Sequence, residues 1–173
     1  MSKIYVDEIA GIASADTVAI PGHVIQVVDT TTSTRTDANG IGSWTGIADL
    51  NVTITPSSTS SKILLFANVA CQGLETAGSE FRGQLAIYDN SNTIIPGSYV
   101  EFRDYDYTNT GAQIRIPVPL QCMHSPASTS SQTYIVKVYL TAGDQITINK
   151  NGALLVDGSN NARSSITAME IAG

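Results

Sequence analysis

Along most of the chain, apolar and polar residues alternate in short runs that end at turn-forming residues. In Leu50-Asn51-Val52-Thr53-Ile54-Thr55 the alternation is strict, and Pro56 stops it. Further runs with strand character cover residues 62–71, 84–88, 93–100, 113–123, 133–140, 145–149, 153–156 and 164–171. Turn chemistry separates several of them: Asp89-Asn90-Ser91-Asn92, Ala142-Gly143-Asp144, Asn151-Gly152 and Asp157-Gly158-Ser159-Asn160-Asn161. Asn-Gly supplies the positive φ angles of a tight hairpin, which predicts pairing of 145–149 with 153–156. Residues 30–39 are polar and β-branched and read as an exposed loop. No helical stripe emerges; the nearest, over 7–15, is weakened by Gly11 and Ser14. Nine to ten short strands at such spacings predict an all-β, antiparallel two-sheet sandwich, jelly-roll-like.

The first 22 residues differ from the rest. Ile4, Val6 and Ile9 precede a run of small residues, Ala10 to Ala15, and then Val18 and Ile20. Small residues let an extended segment lie close to another backbone, and alternating apolar ones can add a strand to a sheet edge. Residues 1–22 are therefore an N-terminal arm that attaches to a neighbour, or the first strand of the sandwich itself; residues 23–173 form the sandwich.

Composition narrows the partners. In 173 residues, 42% are hydrophobic and 14% charged, which suits one domain with a sizeable core. Fifteen acidic residues against nine basic give a net charge of -6. That opposes contact with nucleic acid or an anionic membrane surface. The longest apolar run, Ile63 to Ala67, is too short to cross a bilayer. Carboxylates at Asp7 and Glu8 stand where a signal peptide needs an apolar stretch. Synthesis in the cytoplasm is expected, with any extracellular life reached by assembly into a particle. Cys71 and Cys122 lie in apolar segments and read as buried free thiols, with one bridge between neighbouring strands as the alternative.

Candidate chemistry is sparse. Two histidines, His23 and His124, with no Cys-x-x-Cys spacing, give no zinc pattern. Gly42-Ser43-Trp44-Thr45-Gly46 lacks the central serine of a nucleophile elbow, so Trp44 is expected, with Phe66, as a buried structural anchor. Asn51-Val52-Thr53 fits a glycosylation acceptor but falls inside a strand. The most individual segment is 101–111. With Tyr99 nearby, Asp104, Tyr105, Asp106 and Tyr107 suit an exposed contact loop for a glycan or a protein. Asp104, Asp106 and Asn109 offer oxygens to a cation, but the EF-hand spacing fails. No catalytic pair, metal site or cofactor fingerprint is found, and a non-enzymatic binding or structural domain is expected.

Several phrases, in order, resemble surface proteins of tailed-bacteriophage virions, of the short-fibre and capsid-decoration type found in marine and cyanobacterial phages. They are Gly22-His23-Val24-Ile25-Gln26-Val27-Val28; Trp44 through Leu50-Asn51-Val52-Thr53-Ile54-Thr55-Pro56 to Ser60-Ser61-Lys62-Ile63-Leu64-Leu65; His124-Ser125-Pro126; Thr133-Tyr134-Ile135-Val136; Ile146-Thr147-Ile148-Asn149; and Ser164-Ser165-Ile166-Thr167-Ala168-Met169-Glu170-Ile171. The resemblance implies a jelly-roll-like sandwich that forms a homotrimer on the virion, partnered by the major capsid or a tail protein. It carries no catalytic residues. The alternative it leaves open is a lectin-like, receptor-binding module of a tail fibre that contacts a host-surface glycan.

Overall fold

A computed structural model describes residues 22–74, 80–105, 113–150 and 162–173. Ten strands are present among them: β1 (Val24–Thr32), β2 (Thr36–Ala38), β3 (Trp44–Ile54), β4 (Lys62–Leu74), β5 (Glu80–Tyr88), β6 (Val100–Tyr105), β7 (Gln113–His124), β8 (Gln132–Ala142), β9 (Gln145–Ile148) and β10 (Ser164–Ile171). One sheet runs β1-β10-β4-β7, with β9 and then β2 continuing from the second half of β4. The other runs β3-β8-β5-β6. These two orders, packed face to face, are the two four-stranded sheets of a jelly roll, with β2 and β9 as additions. The expected sandwich is therefore the fold. The arm, residues 1–21 with Ile4, Val6, Ile9, Val18 and Ile20, lies outside the described residues.

Alternation explains the packing. On β4, Ile63, Leu65, Ala67, Val69 and Cys71 turn inward and are buried; on β8, Tyr134, Val136, Val138 and Leu140 do the same from the opposite sheet. Two glycines are required by close approach. A Cβ on Gly73 would lie 2.5 Å from the Phe81 ring, and one on Gly83 would lie 2.6 Å from the Phe102 ring and 2.7 Å from Ile146.

The register gives the molecule two different ends. At one, Lys62 pairs with Ile171, Ile63 with His124 and Ile54 with Gln132, and the connections 55–61 and 125–131 are short. Both Gly22 and Ala172 lie here, joined by Gly22 N–H donating to Ala172 O (2.9 Å) and Ala172 N–H to His23 O (2.9 Å). At the other end, Leu74 pairs with Gln113 and Gln145, and Glu80 with Tyr105. Segments 75–79, 106–112 and 151–161 lie outside the described residues.

The terminal end is tied by a buried carboxylate. Glu170 is fully buried and accepts hydrogen bonds from Gln26 Nε2 (2.6 Å), Ser57 N–H (2.7 Å) and Ser57 Oγ (2.6 Å). Burial alone would raise its pKa, but these donors outweigh it and hold the carboxyl below the ordinary range. Across the same end, His124 Nδ1 and the Tyr134 hydroxyl share a 2.9 Å hydrogen bond that joins β7 to β8.

Three local expectations fail, each for a physical reason. Residues 93–100 are not a strand. Asp89 Oδ1 captures the N–H groups of Ser91 (2.9 Å) and Thr93 (2.8 Å), and buried Ser98 Oγ donates to Ile95 O (2.7 Å) and accepts from Ile87 N–H (3.1 Å). Side chains thus replace a ladder, and the strand starts only at Val100. Residues 30–39 are not a plain loop: β1 runs to Thr32, and 36–38 pairs with β9. The pairing of 145–149 with 153–156 falls on residues outside the description, while β9 pairs with β4 and β2. Trp44 and Phe66 are not core residues. Each points outward and is half-buried, on opposite sheets.

Cys71 and Cys122 are buried and free. Cys122 pairs with Leu65, six positions from Cys71 on β4, so roughly 20 Å of strand separates the thiols and no bridge can form.

Candidate functional site

The chemistry of this molecule lies on the two outer faces of the sandwich. Registration places Trp44 beside Tyr139, Tyr139 beside Gln84 and Gln84 beside Glu101, so one outward row crosses all four strands of the β3-β8-β5-β6 sheet. Trp44 packs against Tyr139 (centroids 5.3 Å apart, tilted) and edge-on to Tyr88 (5.4 Å). Lys137 Nζ lies 4.3 Å above the Tyr88 ring and donates to Asn92 Oδ1. These contacts fix Trp44 and Tyr139 on the outer face above buried Tyr88. Gly46 and Ala86 flank Lys137 in the next row, where Ala86 is fully covered.

The polar half of the row is organised around Glu101. Gln84 Nε2 donates to Oε2 (3.2 Å), the Tyr99 hydroxyl approaches the same oxygen (3.5 Å), and Arg82 Nε lies 4.0 Å from Oε1. Arg82 also pairs with Glu80 at 2.8 Å, and that carboxylate raises the guanidinium pKa further. Partial burial, then the nearby Glu101 charge, pushes the Tyr99 phenol up. Three cations, Arg82, Arg103 opposite it and Lys137, thus stand with two anions, Glu80 and Glu101, and the patch carries an excess of one positive charge.

The predicted contact loop is only partly a loop. Tyr99 is 47% exposed and belongs to the patch, but residues 100–105 form the edge strand β6. Asp104 pairs with Phe81 and Tyr105 with Glu80 in the ladder, while Asp106, Tyr107 and Asn109 lie outside the described residues. Sequence reasoning missed Gln84, Tyr88, Lys137 and Tyr139. The only local signal was alternation, which brings Tyr134 inward and Tyr139 outward on one strand.

The opposite outer face carries an apolar row. Register puts Val27, Met169, Leu64 and Met123 in one outward row across β1, β10, β4 and β7, with Val24 and Ile171 in the adjacent row. Val27 is 53% exposed and Met123 47%; Val24 and Ile25, the latter in the β1 bulge, are also exposed. Four of the six exposed large hydrophobic side chains among the described residues therefore cluster here, at the end where Gly22 and Ala172 meet. Two shallow hollows of about 270 and 250 Å³ mark the same face further along, the first edged by Phe66 and Pro119, the second by Arg115 and Pro117. Pro117 and Pro119 sit on β7, whose outer edge has no strand partner among the described residues. Proline there discourages edge-to-edge pairing, so contact through this sheet falls to its face.

Among the described residues, no three His, Cys, Asp or Glu side chains are grouped to hold a metal ion. No helix among the described residues is long and apolar enough to cross a membrane.

No protein family and no curated protein matches the sequence. Solved structures with similar strand arrangements include the C-terminal domain of EclA, described as a sugar-binding protein (16% identity, 83% of this chain and 87% of that one, TM-score 0.37). Another is dimeric latent PorU from Porphyromonas gingivalis (9% identity, 90% of this chain and 13% of that one, TM-score 0.38). A third is a chain of infectious bursal disease virus, Gx strain (11% identity, 86% of this chain and 37% of that one, TM-score 0.33). At such scores no chemistry of those proteins transfers to this chain.

Proposed function

We propose that the chain is a non-enzymatic structural protein of a tailed-bacteriophage virion, a homotrimer that decorates the capsid or forms a short fibre on the particle surface. The jelly roll suits this role but hosts many others. The observation that supports the reading best is the apolar row Val27–Met169–Leu64–Met123, an exposed patch of the kind that marks a protein contact. A second copy of the chain is its natural cover: in a trimer this row on one subunit meets a different surface of the next, and the contact closes into a ring. The phrases that resemble phage surface proteins also supply this row: Val27 is in the first, Leu64 in the second and Met169 in the last.

In this reading the N-terminal arm, with Ile4, Val6, Ile9, Val18 and Ile20, attaches the trimer to the major capsid or tail protein. Gly22 leaves the sandwich at the terminal end, so the end formed by Leu74, Glu80 and Gln113 faces away from the particle. Co-sedimentation with purified undecorated particles tests it. The full chain is expected to bind stoichiometrically, and a chain starting at Pro21 is expected to stay trimeric but remain in the supernatant. Equal binding by both would move attachment to the loops of the sandwich, and no binding by either would remove the virion role.

A further inference from the structure

We infer that the outer face of the β3-β8-β5-β6 sheet is a binding site for an uncharged oligosaccharide, with Trp44 and Tyr139 as the stacking platform and Gln84, Glu101 and Arg82 as the hydrogen-bonding rim. This goes beyond the virion role and uses the sheet that the proposed self-contact leaves open.

Three features carry it. The first is the rigidity of the aromatic groups. Half-buried Trp44 and Tyr139 pack on each other and Trp44 also packs edge-on against buried Tyr88, with centroids 5.3 and 5.4 Å apart across the two contacts of Trp44. Tyr and Trp held this way offer broad contact area at little cost in side-chain entropy. The C–H face of a pyranose ring is the apolar surface that such a platform fits, while its hydroxyls need partners at the rim.

The second is that these partners stand beside the platform, Gln84 and Glu101 in its own row and Arg82 two positions along β5. All three are planar groups: Gln84 donates to Glu101, Arg82 is held by its hydrogen bond to Glu80 and lies 4.0 Å from Glu101, and they retain capacity for more. A guanidinium carries five donors, and Arg82 shares only some with Glu80 and Glu101. A carboxylate can accept from two neighbouring hydroxyls of one sugar. The row crosses four strands, so it is ~14 Å long. That is the scale of a short oligosaccharide lying across the strands.

The third is charge. Arg82, Arg103 and Lys137 stand against Glu80 and Glu101, an excess of one cation, and Arg82 and Lys137 are already engaged, the first by Glu80 and the second by Tyr88 and Asn92. A phosphate-bearing or polyanionic ligand would need a larger excess of cations here. An uncharged glycan needs none.

Trp44 is the single tryptophan of the chain, so its emission reports on this site directly. The full chain is titrated with a panel of neutral oligosaccharides: gluco-, manno-, galacto- and N-acetylglucosamine-based. At least one is expected to change Trp44 emission saturably, and Glu101→Ala and Gln84→Ala are each expected to weaken that binding at least tenfold. Both variants alter surface side chains, and unchanged melting and oligomeric mass would show that they fold. A flat titration across the panel overturns the proposal, as does a saturable change that survives both substitutions. Binding only to acidic glycans, or only to protein, overturns it too. Particle co-sedimentation of the same variants is expected to be unchanged, so loss of the virion role and loss of this site read separately.

Discussion

The two outer faces of this sandwich obey the same alternation and look nothing alike. Beneath each lies a continuous apolar core. Above it, one sheet carries Val27, Met169, Leu64 and Met123 in a row, and the other carries Trp44, Tyr139, Gln84 and Glu101. The first row has no hydrogen-bonding group and matches another apolar surface. The second joins rigid rings to fixed polar groups and matches a ligand with both kinds of surface. A period of two decides what is inside. What the outward positions are for depends on which strands the fold brings side by side.

The sharpest way to break this comparison is to charge the apolar row. Val27→Asp combined with Met169→Glu should convert a species of about three times the 18.2 kDa chain mass into a monomer by light scattering. The folded domain should survive, because both side chains face outward. Loss of the trimer with retained glycan response would separate the faces completely.

Removing the platform of the other face should cost stability but not assembly. Trp44→Ala deletes a half-buried ring and its two tyrosine contacts. A cost of about 2 kcal/mol is expected, below the ~3–5 kcal/mol of a fully buried aromatic. Chemical denaturation would read it, with the trimer mass unchanged.

Glu170 tests whether the terminal end, where the apolar face sits, is held as described. Its folded-state pKa lies below the ordinary 4.5, so the unfolded chain takes up this proton first as pH falls. The contribution is complete above about pH 4.5 and is lost as pH drops through the lower, folded value. Glu170→Gln should cost about 1–2 kcal/mol at pH 7, and the stability profile should be flatter than wild type below pH 5. The smallest expected effect is that of Tyr134→Phe. It removes one hydrogen bond to His124 between the sheets and should cost about 1 kcal/mol by the same denaturation measurement.

Much of the fold was legible because strands such as β3, β4 and β10 alternate cleanly between Pro, Gly and Ser turns. The errors have local causes. Residues 93–100 contain β-formers, but Asp89 and Ser98 bind the backbone groups a strand would need. Thr30 to Thr32 and Thr36 to Ala38 look polar, yet they are sheet-edge positions where threonine is at home. Trp44 was misplaced because aromatic character suggested a core position, and only its pairing with Tyr139 reveals the outward face. The candidate site was legible at Tyr99 alone. Its other members come from strands up to 95 positions apart in the sequence, from Trp44 to Tyr139, and meet only through sheet register.

Hydroxyl-radical footprinting of Met123 tests the central claim, that the apolar face is covered and the aromatic face is open. Within a single chain Met123 and Tyr99 are equally exposed, at 47% each, on opposite sheets. In wild-type protein at micromolar concentration, Met123 is expected to oxidise several-fold more slowly than in the Val27→Asp, Met169→Glu variant, while Tyr99 reacts alike in both. Equal Met123 rates in the two proteins would mean that nothing covers the apolar row, and the division of labour between the faces would be wrong.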